Sequence, residues 1–81
     1  MLTYSNAFGV FQGDDADAVL RAVHAEAARG EPSTYDDWWR YNQWVWREQL
    51  SWHLPDQKTP GASKAFLEKM VEAGALKAGA S

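Results

Sequence analysis

Apolar residues recur at helical spacing in three stretches of the chain, and residues that interrupt helices separate these stretches. The pattern predicts helices over residues 14–29, 34–54 and 60–73. Residues 1–13 instead alternate loosely between apolar and polar positions, which predicts an extended arm or a short β-strand. The predicted fold class is therefore mainly α: a small three-helix domain around a long tryptophan-rich central helix, with a short N-terminal strand as an option.

Charged and helix-breaking residues mark both ends of the first predicted helix. Asp14 is a favourable N-cap, because a short acidic side chain accepts hydrogen bonds from free backbone N–H groups. Asp15 and Asp17 place negative charge in the first turn, where it complements the helix dipole. Gly30 and Pro32 then end the helix, since proline cannot continue one.

The second and third predicted helices have comparable signals at their ends. Thr34 and Asp37 form a variant of the capping box in which aspartate replaces the preferred glutamate. Pro55 stops the second helix. Thr59 is a suitable cap for the third helix, with Pro60 at its first helical position.

The chain after Gly74 consists mainly of small residues, which predicts a flexible tail over residues 75–81. A strand at the N-terminus would need a neighbour, because a single strand is not stable by itself. That neighbour would be either the tail near Ala75 to Lys77 or a strand of another molecule.

The central helix presents large apolar residues in two directions rather than one. At about 100° per residue, one face gathers Trp38, Tyr41, Val45 and Trp52, with Trp44 at its margin. A second face gathers Trp39, Trp46, Leu50 and Leu54. Two interpretations remain open: both faces are buried within the domain, or one stays partly open and binds a partner. Both hold together if the chain is a homodimer.

Tryptophan, tyrosine and arginine carry most of the energy of protein interfaces. The two faces contain the tryptophans and the tyrosine, and Arg40 and Arg47 lie on the flank that separates the faces. Each large ring buries on the order of 150–250 Å². We therefore expect one tryptophan face to anchor a protein partner, and the acidic residues to meet a basic surface on that partner. The predicted contact residues are Trp39, Trp46, Arg40, Arg47, Asp14, Asp15, Asp17, Asp36 and Asp37.

Length and composition limit the class of protein. The 81 residues suffice for one domain, and their composition, 46% hydrophobic and 23% charged, is that of a globular chain. The absence of cysteine excludes disulfides and cysteine-based zinc sites. Neither a signal peptide nor a membrane-spanning stretch is visible. We therefore expect a cytoplasmic protein, in the host cytoplasm if a phage encodes it.

The net charge of −3 is unevenly divided along the chain. Up to Asp37, seven acidic and two basic residues give −5, and from Trp38 onward four acidic and six basic residues give +2. A dedicated nucleic-acid binder shows a clear basic face, so this division argues against direct nucleic-acid binding. It is compatible with contact to the basic surface of a protein that itself handles nucleic acid.

Side chains that carry catalysis or hold metals are sparse. Ser51 and His53 lie too close along one helix to face each other as nucleophile and base, and we interpret His24 as a surface or boundary residue. The aspartates of the first helix lack the glycine and the distal glutamate that complete a calcium loop. The sequence therefore predicts no enzyme activity, no cofactor and no metal site.

Residues 59–76 resemble the recognition helix of winged-helix proteins, which runs into a Glu-Ala-Gly-x-Leu turn before the wing. This resemblance implies that Ser63, Lys64 and Lys69 would face DNA. The chain departs from that family because no wing hairpin follows, the helix is balanced in charge, and the preceding helix is longer than expected.

In format, the whole chain resembles the small acidic inhibitors of phages and mobile elements, such as anti-CRISPR proteins. The resemblance consists of length, charge and spare aromatic surface, and the group shares no motif whose residues could be transferred. It implies a stoichiometric inhibitor or adaptor that occludes a surface of a nucleic-acid-handling protein complex. The alternatives are a winged-helix-like DNA-binding protein and a structural subunit of a larger assembly.

Overall fold

The computed structural model of the protein describes residues 1–27 and 34–79. Within these ranges it contains three helices and a small three-stranded sheet, which confirms the predicted fold class. In chain order the elements are β1 (Leu2–Asn6), β2 (Gly9–Gly13), α1 (Ala16–Ala27), α2 (Tyr35–Leu50), α3 (Ala62–Glu72) and β3 (Lys77–Ala78).

The N-terminal segment forms two strands rather than one. β1 and β2 pair in antiparallel register as a hairpin, in which Tyr4 lies opposite Phe11. The turn between them is held by Asn6, whose Oδ1 accepts a hydrogen bond of 2.8 Å from the backbone N–H of Phe8. The hairpin lies close against α1: a Cβ atom at Gly13 would meet the Ala18 Cβ at 2.6 Å, so only glycine fits there.

Lys77–Ala78 form the third strand of this sheet, so the prediction of a flexible tail is wrong for the described part of residues 75–81. β3 pairs with β1 in antiparallel register, with Ser5 opposite Lys77. Ser5 Oγ donates to the Gly79 carbonyl at 2.8 Å, and Leu76 is buried in the core. The alternative in which the tail pairs with the N-terminal strand is therefore confirmed as far as residue 79, and residues 80–81 lie outside the described ranges.

Of the three predicted N-caps, one is confirmed and two are wrong. Thr34 caps α2 as predicted, because its Oγ1 accepts from the Asp37 N–H at 3.1 Å. In α1, however, the capping side chain is Asp15 rather than Asp14, and it accepts from the Ala18 N–H at 2.8 Å. α3 begins after Gly61 without any side-chain cap, so Thr59 does not have the predicted role. The predicted end of α1 at Arg29 lies outside the described residues.

The central helix ends four residues earlier than predicted. Ser51 adopts a left-handed conformation with φ 53° and ψ 32°, and the chain then turns back along α2 instead of reaching Pro55 as helix. Two side chains of α2 stabilise the reversal: Trp39 Nε1 donates to the Pro55 carbonyl at 3.0 Å, and Gln43 Nε2 donates to the Leu54 carbonyl at 3.2 Å.

The core lies between the sheet and the three helices, with Phe66 of α3 at the centre of its aromatic part. Trp39 meets the Phe66 ring edge-on at 5.2 Å between centroids. Trp38 and Trp46 contact the same ring at 5.6 Å and 6.1 Å. The buried apolar residues are Phe11, Val19, Leu20, Val23, Tyr35, Trp39, Leu54, Ala62, Phe66, Leu67, Met70 and Leu76.

Candidate protein-interaction surface

The two tryptophans predicted as contact residues lie on the inner side of α2. Trp39 is only 2% exposed and packs against Phe66, so it belongs to the core and a partner cannot reach it in this fold. This corrects its assignment as an interface residue. Trp46 is half-buried, donates from Nε1 to Asn42 Oδ1 at 3.1 Å and meets Trp52 edge-on at 6.0 Å.

The exposed rings of α2 are Tyr41 and Trp44, on the side turned away from the core. They are 62% and 53% exposed, and their centroids lie 6.3 Å apart. Helical periodicity had placed both near the Trp38 face, with Trp44 at its margin. The spacing of the rings signalled two apolar directions, but it could not indicate which direction the rest of the domain would cover.

Two arginines flank this pair of rings. Arg40, Trp44 and Arg47 follow one another at i, i+4 and i+7, which places them side by side along the helix surface. We name the four residues Arg40, Tyr41, Trp44 and Arg47 the outer face of α2. The arginines therefore stand beside exposed aromatic rings, although these rings are not the tryptophans predicted as contact residues.

A shallow groove of about 330 Å³ lies beside Trp44 on the outer face. The returning segment after α2 forms its second wall, since Gln43 Nε2 holds the Leu54 carbonyl. The residues that line it are Arg40, Gln43, Trp44, Arg47, His53 and Leu54. This groove combines a flat aromatic surface with two guanidinium groups.

The predicted contact acid Asp17 is engaged within the domain. Its Oδ2 accepts from Arg21 Nε at 2.8 Å, while Oδ1 accepts from Tyr35 Oη at 3.3 Å and from Ser63 Oγ at 3.4 Å. One carboxylate thus joins the first turns of all three described helices. Burial, followed by the negative charge of Asp17, raises the pKa of Tyr35, and the hydrogen bond to Asp17 raises the pKa of Arg21.

The other four acids differ in how free they are. Asp15 caps α1, and Asp36 accepts a hydrogen bond from Gln57 Nε2. Asp37 has one long contact, 4.0 Å from Arg40, between two exposed side chains. Asp14 is exposed and has no hydrogen-bond partner among the described residues. Asp14 and Asp37 are therefore the acids best placed to meet a partner.

A larger groove of about 990 Å³ lies on another side of α2. It runs between the second half of α2, the hairpin turn and the end of α3. Apolar side chains in its lining include Phe8, Trp38, Val45, Trp46, Leu50 and Met70. Phe8 at the hairpin turn is 79% exposed, so the rim of this groove also presents an aromatic ring to solvent.

The two histidines lie in different surroundings. His24 lies against the rings of Tyr35 and Trp38, at 5.7 Å and 5.5 Å between centroids. Its buried Nε2 has no hydrogen-bond partner among the described residues. His53 is exposed and lines the groove beside Trp44. The described residues contain no group of three or more side chains placed to hold a metal ion.

The residues that the winged-helix resemblance assigned to DNA contacts are mostly engaged internally. Ser63 donates to Asp17. Lys69 Nζ donates to Glu72 Oε1 at 3.3 Å and lies 5.7 Å from the centroid of the Trp52 ring. Lys64 is exposed. Of these three residues, Lys64 alone is exposed.

Comparison of the chain with protein-family models, with curated proteins and with solved structures gave no match. Among the described residues, no helix combines the length and the apolar character needed to cross a membrane. Support for a function therefore comes from the exposed surface of the domain itself.

Proposed function

We propose that this protein is a small protein-binding module that docks onto its partner through the outer face of α2. The observation that carries the proposal is the exposure of Tyr41 and Trp44 on a helix that buries Trp39 almost completely. A large aromatic ring buries on the order of 150–250 Å² when it is fully covered, so a half-exposed ring leaves about 100 Å² of its surface in contact with water. Covering it would contribute about 2.5 kcal/mol per ring.

The composition of the outer face supports a protein partner. Trp, Tyr and Arg are the residue types most often found as energetic centres of protein interfaces, where they lie close together near the middle of the contact. Here two rings with centroids 6.3 Å apart stand beside two arginines on one helix. A helix also holds these side chains in fixed relative positions before binding, which lowers the entropic cost of association.

We further propose that the module acts stoichiometrically, as an inhibitor or adaptor of a nucleic-acid-handling protein complex. The support is the acidic first half of the chain, which carries −5 up to Asp37. Asp14 and Asp37 present acidic side chains to solvent where α1 and α2 begin. Proteins that bind nucleic acid carry basic surface for phosphates, and such surface is complementary to this end of the domain.

Affinity capture from a lysate of the cells in which the protein acts tests this proposal. Wild-type protein is compared with the double variant Tyr41→Ala, Trp44→Ala, and with Phe8→Ala as a matched control that removes an exposed ring elsewhere. We expect the double variant to recover at least tenfold less partner, with an unchanged near-ultraviolet circular dichroism spectrum, and Phe8→Ala to recover the wild-type amount. Identification of the partner then tests the nucleic-acid-handling prediction.

Two outcomes would contradict the proposal. Equal capture by the wild type and the double variant would remove the outer face as the docking surface. Loss of capture by Phe8→Ala alone would move that surface to the larger groove. Light scattering on the purified protein tests the homodimer alternative, in which a second copy of the chain covers the outer face; we expect a monomer.

A further inference from the structure

The groove beside Trp44 is opposite in charge to the domain that contains it. The whole chain carries −3. The groove is lined by Arg40 and Arg47 together with Gln43, Trp44, His53 and Leu54, and no carboxylate is among these described residues. The groove is therefore positively charged, in contrast to the acidic end of the domain, and it favours a negatively charged ligand.

The two arginines are available to a ligand. Arg47 forms no ion pair with any of the described residues, and the contact of Arg40 with Asp37 is 4.0 Å long between side chains that are both exposed. Exposed pairs of that kind contribute little in water. A partner that covers Trp44 would take both guanidinium groups out of water, and this is favourable only if carboxylates or other acceptors replace the water.

The spacing along α2 defines what such a partner must present. Arg40 and Arg47 are seven residues apart on one helix, which corresponds to about 10 Å of rise. Trp44 lies between them on the same side. A ligand that meets all three groups needs two negative charges separated by a similar distance and an apolar side chain between them.

We propose that the occupant of this groove is a short acidic segment of the protein partner. Its carboxylates pair with Arg40 and Arg47, and an apolar side chain between them lies on the Trp44 ring. This inference rests on the proposed function and names the chemistry of the partner at the outer face. It implies that the partner contributes an acidic segment here, in addition to the basic surface expected at the end of the domain with Asp14.

A nucleic-acid strand is a poorer match for the same groove, although it also offers negative charge and flat rings. Nucleic-acid binding uses basic surface that continues along the phosphate backbone. The basic surface of α2 consists of Arg40 and Arg47 alone. Two exposed acidic residues, Asp37 and Glu48, lie next to them on the same helix. A strand that extended past the groove would meet these carboxylates, whereas a segment with a few acids would not.

Fluorescence anisotropy with a labelled synthetic peptide tests the inference. The probe has a leucine with two glutamates on each side, and a second peptide has glutamine in place of every glutamate. We expect the acidic peptide to bind at least tenfold more tightly than the glutamine peptide, and more weakly as salt increases. Arg40→Gln with Arg47→Gln should weaken binding at least tenfold. Lys58→Gln with Lys77→Gln, which changes the net charge equally at exposed positions, should leave it unchanged.

Several results would overturn the inference. One is that the acidic peptide does not bind, or binds no more tightly than the glutamine peptide. Another is that the lysine control variant loses as much affinity as the arginine variant. A third is that an oligothymidine of ten nucleotides binds more tightly than the acidic peptide. The failure of the proposed function is separately visible. If partner capture depends on Tyr41 and Trp44 but not on the arginines, the docking proposal stands and the acidic segment is wrong. If capture ignores both rings, the docking proposal itself fails.

Discussion

The two sides of α2 use the same kinds of residues for opposite purposes. On the inner side, the indole N–H groups of Trp39 and Trp46 have acceptors within the domain, and both rings contact Phe66. On the outer side, Tyr41 and Trp44 contact each other and solvent. An aromatic residue in this helix therefore stabilises the fold or remains available for binding according to its direction alone.

The largest expected effect is a difference in the free energy of unfolding between two single variants, each of which removes one ring from one side of α2. Trp39→Ala should lower the free energy of unfolding by about 3–5 kcal/mol, close to the whole stability of about 5 kcal/mol for a domain of this size. Trp44→Ala should change it by less than about 0.5 kcal/mol, because an exposed side chain makes few contacts. Urea unfolding followed by far-ultraviolet circular dichroism measures both. Similar losses in the two variants would erase the distinction between the sides.

A smaller effect separates the engaged acid from the free one. Asp17→Ala should lower the free energy of unfolding by about 1–2 kcal/mol, since it leaves Arg21, Tyr35 and Ser63 without a common acceptor. The value is limited because the carboxylate is about half exposed. Asp14→Ala is the matched control and should change stability by less than about 0.5 kcal/mol. Equal effects would show that Asp17 acts only as surface charge.

The smallest effect appears in alkaline solution and compares two tyrosines. Burial and Asp17 raise the pKa of Tyr35 in the folded state above its ordinary value of 10.0. The neutral phenol is therefore favoured by folding, and its contribution to stability is complete below about pH 10 and lost as the pH rises toward the folded-state pKa. Tyr35→Phe should reduce the fall in unfolding free energy between pH 9 and 11.

The control for this measurement is Tyr41→Phe, which removes a hydroxyl from the outer face and leaves the Asp17 contacts intact. Urea unfolding at several pH values gives the slope for each variant. Identical slopes for Tyr35→Phe and the wild type would mean that the phenol of Tyr35 is not protected by folding.

Several elements could be predicted from the sequence because short-range chemistry determines them. Thr34 caps α2 through a hydrogen bond to a residue three positions away. The apolar period that produced three helices is likewise a property of neighbouring residues. For the candidate site, the sequence indicated that α2 presents rings in two directions, and Arg40 and Arg47 lie beside the exposed rings. Their role as contact residues stays a prediction.

The errors in the prediction share a long-range cause. α2 ends at Leu50, and hydrogen bonds from Trp39 and Gln43 to the returning chain stabilise the reversal that follows. These bonds join residues that are distant in the sequence, so the local pattern could not predict the helix end. Lys77–Ala78 form a strand because β1 has an edge available to them. Asp17 looked like a residue that favours the helix dipole, although its hydrogen bonds join residues up to 46 positions apart.

By itself, the sequence determined that this protein is a small, mainly helical, cysteine-free domain whose central helix holds too many rings for one face. Only the tertiary structure decided which rings are buried, because periodicity states relative directions around a helix and not where its neighbours lie. Phe66 and the returning chain cover Trp39, and no described element covers Trp44. The outer face is the candidate surface because its rings remain exposed after the domain has folded.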